Sequence, residues 1–307
     1  MIARNERLLI YRAGAGEGAA EIAARFFGDA SQAWRLADDN PGLARLQPGQ
    51  PVVVPLRSPN PGGVGVDRYQ VVTILCYHRF GLPATKMSIP PATFAAQLQW
   101  LAANDYRVVR LADLRAFLDG KRALPPRAVV ITIDDGYESV YRQAFPLLKK
   151  HGFPATLFAY TDFIGIGDAL SWAQLLEMEQ SGLVDVQSHS KSHRNLIERQ
   201  KDETDARYRA NIDIEMRVPR EMLSRRLGSE VRHIAYPYGD ANSTVLESAA
   251  RHGFELGATV VPGANAFFAQ PLLLRRTMIF GDLDLEAFKA RVLTTRPYQP
   301  LLPLPAP

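Results

Sequence analysis

Two adjacent carboxylates follow an apolar run near the middle of the chain. The run Val129–Ile133 is typical of a buried strand, and Asp134 and Asp135 come directly after it. Burying two neighbouring negative charges is costly unless a metal ion, a proton or a cationic side chain compensates them. Successive side chains that leave a strand point in divergent directions. One carboxylate can therefore bind a cation while the other stays free to act as a base.

Two histidines after a second predicted strand supply ligands that complement a carboxylate. The stretch LVDVQSHSKSH ends with His189 and His193, which are four residues apart. Two imidazoles and one carboxylate form a facial ligand set that leaves positions open for water and substrate. With a free carboxylate as base, this pattern indicates hydrolysis by a metal-activated water. The residues alone also allow a solvated histidine pair and an aspartate cap on the following helix.

Two further strand ends carry polar side chains. VVTILCYH ends with His78, and VRHIAYPYGD contains the turn Pro237, Tyr238 and Gly239. In parallel α/β folds the carboxyl ends of the strands share one face, and active sites lie on that face. We therefore expect four strands to bring these side chains to one rim. A core role for His78 and a plain turn at Tyr238 are the alternatives.

An alternation of strands and helices must position this rim. Strands are predicted at 71–77, 107–110, 128–133, 154–160, 183–188 and 231–236, and helices at 91–104, 111–119, 137–151, 171–180, 203–227 and 243–252. Such alternation predicts an α/β fold with a parallel sheet covered on its outer face. About 225 residues of this pattern suit a distorted (β/α) barrel. We expect Pro219 to break or kink the helix at 203–227.

A linker rich in Pro and Gly, residues 58–69, divides the chain. Before it, residues 7–57 predict the order βααβ, with Asn40-Pro41-Gly42 ending the second helix. After it, residues 70–296 form the α/β region. A second Pro-rich run, 297–307, predicts a loose tail.

The composition excludes several classes of protein. With 307 residues, 47% hydrophobic and 22% charged, the chain is typical of a globular protein. The net charge of +4 comes without a dense Lys/Arg block, which argues against nucleic-acid binding. The single cysteine, Cys76, excludes an internal disulfide. No apolar run reaches the roughly 18 residues of a membrane span. The first residues contain no signal-peptide core, so we expect a protein that is cytoplasmic or has lost an export signal.

Three motifs in residues 70–296 resemble those of polysaccharide deacetylases of the NodB homology type. They are Thr132-Ile133-Asp134-Asp135-Gly136, His189-Ser190-Lys191-Ser192-His193 and Tyr236-Pro237-Tyr238-Gly239. The resemblance implies that Asp134 is the base and that Asp135, His189 and His193 bind a divalent metal. It also implies that the backbone N–H of Tyr238 helps to hold the oxyanion. Zn²⁺ is the first expectation, and Co²⁺, Ni²⁺ or Fe²⁺ also suit the ligand set.

Two departures from this family point to one branch of it. Many members carry an arginine where Ala235 stands, and a late Leu-x-His motif is absent after residue 252. The branch that acts on poly-N-acetylglucosamine resembles this chain in Tyr-Pro-Tyr-Gly and in a Tyr-His pair on the first strand. The resemblance makes His78 the candidate acid. It also makes Arg276 the candidate replacement arginine, orienting Asp134, with Arg275 as second choice and a structural ion pair as the alternative.

Residues 7–57 resemble a LysM module, a small glycan-binding domain. The matching residues are Tyr11, Ile22–Asp29, Asn40–Leu43 and Leu46–Gln50. The family usually has Gly-Asp-Thr-Leu in its first loop, and Gly16-Glu17-Gly18-Ala19 stands here. The resemblance implies binding of N-acetylglucosamine chains, and a structural cap without a ligand is the alternative.

The sequence therefore predicts a metal-dependent hydrolase that removes N-acetyl groups from an N-acetylglucosamine-containing polysaccharide, whether poly-N-acetylglucosamine, chitin-like or peptidoglycan. The family implies a cell-envelope, periplasmic or extracellular setting. The alternatives are a glycan-binding protein that has lost activity and a deacetylase of a small amide. Four aromatic residues, Trp100, Trp172, Tyr77 and Phe80, either line a sugar groove or pack in the core.

Overall fold

The computed structural model describes residues 2–37, 39–40, 43, 46–57 and 60–298. The predicted helix end at Pro41–Gly42, the first two linker residues and residues 299–307 of the predicted tail lie outside this part of the chain. The chain divides into two compact units, Met1–Pro61 and Gly62–Pro307. The division falls within the predicted linker 58–69.

The first unit contains a small antiparallel sheet and two short helices. Its strands are β1 (Ala3–Arg4), β2 (Leu8–Arg12) and β3 (Pro51–Pro55), and its helices are α1 (Ala19–Phe27) and α2 (Trp34–Ala37). The sheet order is β1-β2-β3, and Leu9, Ile22, Leu36 and Val54 are buried between sheet and helices. Asn40 fastens α2 to β3, since its side chain bonds Leu36 O and both backbone polar groups of Val53 at 2.7 Å.

The second unit alternates strands and helices. Its strands are β4 (Arg68–Gln70), β5 (Val72–Tyr77), β6 (Arg79–Phe80), β7 (Ser88–Ile89), β8 (Arg107–Val108), β9 (Ala128–Ile133), β10 (Ala155–Ala159), β11 (Val184–Ser188), β12 (His233–Ala235), β13 (Leu256–Ala258), β14 (Ala264–Asn265), β15 (Thr277–Met278) and β16 (Thr295–Pro297). Its helices are α3 (Pro91–Ala103), α4 (Asp113–Leu118), α5 (Phe145–His151), α6 (Trp172–Gln180), α7 (Asp205–Leu227), α8 (Ser243–Arg251) and α9 (Leu285–Arg291). Each predicted strand of this region contains an observed one.

The main sheet is mostly parallel and curled. Its path runs β13-β12-β11-β10-β9-β5, with β8 beside β9 and the antiparallel β14 on β5. The segment Leu274–Met278 lies between the two edges of this path. Leu274 pairs in parallel with Ala258 at the end of β13, and Thr277–Met278 pair in parallel with β5. This mixed α/β architecture fits a deacetylase (β/α) barrel, as predicted.

The two faces of β5 and β9 bury different side chains. Leu75, Tyr77, Ile131 and Ile133 face the main core, which the outer helices cover. The intervening positions, among them Cys76 and Thr132, face the inside of the curl. Because β9 ends at Ile133, the alternation directs Asp134 inwards as well.

Helix α7 is continuous across Pro219, so of the two predicted effects, a break or a kink, the break does not occur. Thr204 caps its first turn by accepting from Arg207 N at 3.3 Å, and Gly228 ends it in a left-handed conformation. A proline inside a helix costs about 3 kcal/mol. Burial of Ile212, Met216 and the other apolar side chains of α7 outweighs that cost. Within the part of the chain that the structure covers, no helix has both the length and the apolarity that a membrane span requires.

Candidate active site

The parallel register brings the predicted strand ends to one edge of the sheet. Cys76 pairs with Thr132 and Tyr77 with Ile133, so His78 lies beside Asp134 at the ends of β5 and β9. Ala159 pairs with Ser188, and Ser188 pairs with Ile234, which places His189 and the Tyr236–Gly239 turn along the same edge.

Three candidate metal ligands converge at this edge. One ligand atom from each of Asp135, His189 and His193 lies within 4.8 Å of the others. Asp135 Oδ1 is 3.4 Å from His189 Nε2 and 3.2 Å from His193 Nε2. His189 is buried directly after β11, whereas the side chain of His193 is 25% exposed and leaves one side of the cluster open.

Hydrogen bonds fix which atoms of this cluster can donate to a cation. His189 Nδ1 lies 2.7 Å from Ala235 O, and a carbonyl oxygen can only accept, so Nδ1 carries the proton and the Nε2 lone pair faces Asp135. Asp135 Oδ1 is buried and has no hydrogen-bond partner among the described residues. An unpartnered carboxylate oxygen between two imidazole nitrogens fits a divalent metal. Burial opposes ionisation of Asp135, but the two imidazoles hold its pKa well below the ordinary value.

The backbone at the site is unusual. Six non-glycine residues in the described part of the chain have a left-handed φ, and four belong to the predicted motifs: Asp135 (76°), Ser190 (69°), His193 (60°) and Tyr238 (61°). Each such residue costs about 1 kcal/mol or more and persists only where its surroundings enforce it. The turn at Tyr238 also requires glycine at position 239, because a Cβ there would lie 2.4 Å from Val260 Cγ2. These conformations belong to three different loops, which end at the same edge of the sheet.

The second half of the site is a buried ion pair. Arg276 Nη1 and Nη2 donate to Asp134 Oδ1 and Oδ2, both at 2.7 Å, and neither side chain is more than 2% exposed. Arg276 also donates to Thr259 O at 2.8 Å and to Thr132 Oγ1 at 3.2 Å. Burial opposes the charge on Asp134, yet Arg276 keeps its pKa below the ordinary value. Arg275, the second choice, instead donates to Pro262 O, so Arg276 is the arginine at Asp134.

His78 and Cys76 lie beside this ion pair. One atom each of Cys76, His78 and Asp134 lie within 4.8 Å of one another, and Cys76 Sγ donates to Asp134 Oδ2 at 3.5 Å. This second cluster does not suit a metal, because Arg276 occupies both oxygens of Asp134. His78 is buried, and burial lowers its pKa although the neighbouring carboxylates oppose the shift.

The aromatic rim of the site was not predicted. Tyr160 stacks on Phe163 with centroids 5.0 Å apart, and His193 lies between Tyr160 at 4.9 Å and Tyr238 at 5.2 Å. Tyr137 contacts Phe163 edge-on, and Tyr238 is 61% exposed. The residues considered for a sugar groove lie elsewhere. Tyr77 and Phe80 are buried, and Trp100 and Trp172 pack against the main core.

Comparison with known proteins identifies the family. The family model described as "Polysaccharide deacetylase" matches residues 121–257. A structure of IcaB from Ammonifex degensii is 30% identical with a TM-score of 0.65, and the match covers 73% of this chain and 97% of that one. The Streptococcus pyogenes deacetylase PplD, in complex with acetate, is 26% identical with a TM-score of 0.66, over 73% of this chain and 98% of that one. The chain therefore belongs to the polysaccharide deacetylase family, as the three motifs predict.

Sequence relatives narrow the class. The putative polysaccharide deacetylase YxkH of Bacillus subtilis is 28% identical over 221 residues, which cover 71% of this chain and 75% of the relative. The poly-beta-1,6-N-acetyl-D-glucosamine N-deacetylase of Escherichia coli is 27% identical over 277 residues, covering 79% of this chain but only 40% of that protein. The chain is thus a polysaccharide N-deacetylase related to the poly-β-1,6-N-acetylglucosamine enzymes.

Proposed function

We propose that this protein removes N-acetyl groups from an N-acetylglucosamine-containing polysaccharide by metal-dependent hydrolysis. The observation that carries the proposal is the pair of adjacent carboxylates with opposite environments. Asp135 faces two imidazoles with an unpartnered oxygen, whereas Asp134 is held by Arg276. A cation site beside a fixed, ionised base is what hydrolysis of an acetamide requires.

Asp135, His189 and His193 would hold the metal. A divalent ion bound there supplies Lewis-acid polarisation of the acetamide and activates water at neutral pH. Two nitrogen donors and one oxygen donor suit Zn²⁺, and Co²⁺, Ni²⁺ or Fe²⁺ can occupy the same set.

The remaining residues move protons and hold charge. Asp134 accepts a proton from the attacking water, and Arg276 keeps its carboxylate ionised and oriented. The backbone N–H of Tyr238 donates to the oxyanion of the tetrahedral intermediate. His78 then donates a proton to the departing nitrogen, so the products are acetate and a free amine.

The rim supports a polymeric sugar as substrate. The exposed Tyr238 and the partly exposed Tyr160 and Phe163 can stack on the apolar faces of sugar rings that flank the reacting residue. The named activities of the relatives make poly-β-1,6-N-acetylglucosamine the first candidate polymer, with chitin-like chains and peptidoglycan next. Loss of activity was an alternative because Ala235 replaces an arginine and a late histidine is absent. Arg276 lies at Asp134 and His78 lies beside it, so neither departure favours that alternative.

We further propose that the first unit binds the same glycan as a LysM-like module. Strands β2 and β3 pair in antiparallel fashion, and helices α1 and α2 lie between them in the chain. This agrees with the predicted order βααβ. In the divergent loop, Glu17 accepts from Tyr11 Oη at 2.6 Å and pairs with Arg25. Deleting residues 1–61 is expected to lower activity on insoluble polymer several-fold and leave activity on short oligomers unchanged. An equal loss on both would mean that the unit does not target the enzyme.

The main test combines metal analysis with acetate release from defined poly-β-1,6-N-acetylglucosamine, chitin oligomers and peptidoglycan. The purified protein is expected to contain about one divalent ion and to release acetate from one of these glycans. Asp134→Asn is expected to keep the metal and lower kcat by about 10²- to 10⁴-fold. Inactivity of the metal-loaded wild type on all three glycans would overturn the proposed function.

A further inference from the structure

The two histidine ligands are fixed by very different means. His189 directly follows β11, donates from Nδ1 to Ala235 O, and its backbone N donates to Ala159 O at 2.9 Å. His193 lies beyond the strand in the loop 190–193, and its left-handed φ of 60° is not set by any sheet pairing. The position of its imidazole therefore depends on what holds the loop.

One carboxylate from a distant helix holds this loop. Glu215, near the middle of α7, accepts from Lys191 N and Ser192 N at 2.9 Å through Oε2, and from Ser192 Oγ at 2.6 Å through Oε1. Within the loop, His193 N donates to Ser190 Oγ at 3.1 Å. Successive backbone N–H groups that converge on one anion form a nest, and here the nest immediately precedes His193.

The burial of Glu215 argues for a role beyond helix stability. Its side chain is only 6% exposed and lies among apolar neighbours of α7 such as Ile212 and Met216. A carboxylate in such a place costs free energy unless hydrogen bonds to its charged form offset that cost. All three of its hydrogen bonds described above come from residues 191 and 192. The bonds that compensate the buried charge of Glu215 therefore also order the loop that carries His193.

We propose that Glu215 is a positioning residue that sets the geometry of His193 for binding a divalent cation. It does not touch the cation site itself. It fixes the peptide that precedes His193, which holds the imidazole at the 3.2 Å separation from Asp135 Oδ1. This inference rests on the proposed metal site, and partners of this kind change metal affinity by about 10- to 100-fold when they are removed.

The test compares Glu215→Gln with Glu221→Gln in the full chain. Glu221 is on the same helix, but its side chain is 56% exposed and pairs only at the surface with Arg217. Metal-free protein is titrated with Co²⁺, and the optical bands of the bound ion report affinity and coordination. Glu215→Gln is expected to bind Co²⁺ about 10- to 100-fold more weakly, with altered bands, while Glu221→Gln matches the wild type. Thermal unfolding of the metal-free proteins shows whether the change is merely structural.

The outcomes separate the two proposals. If the wild type binds no Co²⁺, the metal site itself is wrong. If the wild type binds and Glu215→Gln binds within twofold of it, the metal site stands and the role of Glu215 is overturned. If Glu215→Gln does not fold, Ser192→Ala decides, because it removes one bond to Glu215 from an exposed loop position. That variant is expected to bind Co²⁺ about threefold more weakly or worse, and wild-type affinity would overturn the proposal.

Discussion

The two halves of the site are completed in different ways. Asp134 and Arg276 satisfy each other through two bonds of 2.7 Å in the interior of the curled sheet. Asp135, His189 and His193 instead direct lone pairs at one another, and within the described chain Asp135 Oδ1 has no hydrogen-bond partner. The ion pair is neutralised within the protein, whereas the arrangement of the other three residues suits a bound cation. Substitutions in the ion pair are therefore expected to affect folding, and substitutions of the three candidate ligands are expected to affect metal content.

The largest loss of activity is expected from removing one of the three candidate metal ligands. His193→Ala leaves two of the three donors, so the metal should be lost and activity should fall about 10³-fold or more. Because His193 is 25% exposed, thermal stability of the metal-free protein should change little. Metal analysis and acetate release measure the effect, and His151→Ala, a histidine outside the site, is the control. Full metal content in His193→Ala would refute the ligand assignment.

The next largest effect is a loss of stability, expected when the ion pair of Asp134 and Arg276 is broken. Arg276→Met leaves Asp134 buried without its counter-charge, which is expected to lower the free energy of unfolding by about 3–5 kcal/mol. Arg275→Met is the matched control, because that neighbouring side chain is exposed and, among the described residues, donates to Pro262 O alone. Denaturant unfolding of the metal-free proteins measures the difference.

A double replacement sharpens the same point. Replacing both partners, in Asp134→Leu with Arg276→Met, removes the uncompensated charge and should recover much of the lost stability, although not activity. If Arg276→Met were as stable as the control Arg275→Met, the ion pair of Asp134 and Arg276 would not contribute to stability as described.

The smallest of the three effects concerns proton delivery beside the ion pair. His78→Gln is expected to lower kcat on a glycan about 10²-fold, because the departing amine needs a proton. Hydrolysis of an aryl acetate, whose leaving group departs without one, should fall much less. Equal losses on both substrates would show that His78 does not act as the acid, and unchanged metal content controls for damage to the cation site.

The sequence predicted the residues of both halves because strand ends are visible in it. The strand predicted at 128–133 has the same bounds in the structure. The two histidines follow β11, which was also predicted. Several strands of two or three residues were missed in the second unit, namely β4, β6, β7, β13, β14, β15 and β16, because so few residues give a weak pattern. The family resemblance ranked Arg276 before Arg275, but the residues are adjacent in the chain, and the fold is what shows that Arg276 points inwards.

Features that depend on tertiary packing were beyond the reach of the pattern. The left-handed φ of Asp135, Ser190, His193 and Tyr238 is imposed by surrounding contacts, as none of them is a glycine. Glu215 lies in a long helical pattern with nothing to distinguish it from the exposed glutamate six residues later. Tyr160 and Phe163 follow a strand end, a signal that could have placed them at the rim.

The closing segment at Leu274–Met278 joins parts of the larger unit that are far apart in the chain. Asp134 and Arg276 are 142 residues apart in the chain, and β5, which leads to His78, is the neighbour of β15. The part that matches the family, residues 121–257, includes the three candidate metal ligands but neither His78 nor Arg276. A chain cut by a protease before residue 276 would keep the three candidate metal ligands. It would lose Arg276, which holds Asp134. If Asp134 is the base, activity is therefore expected only after the segment Leu274–Met278 has been made and has paired with β5.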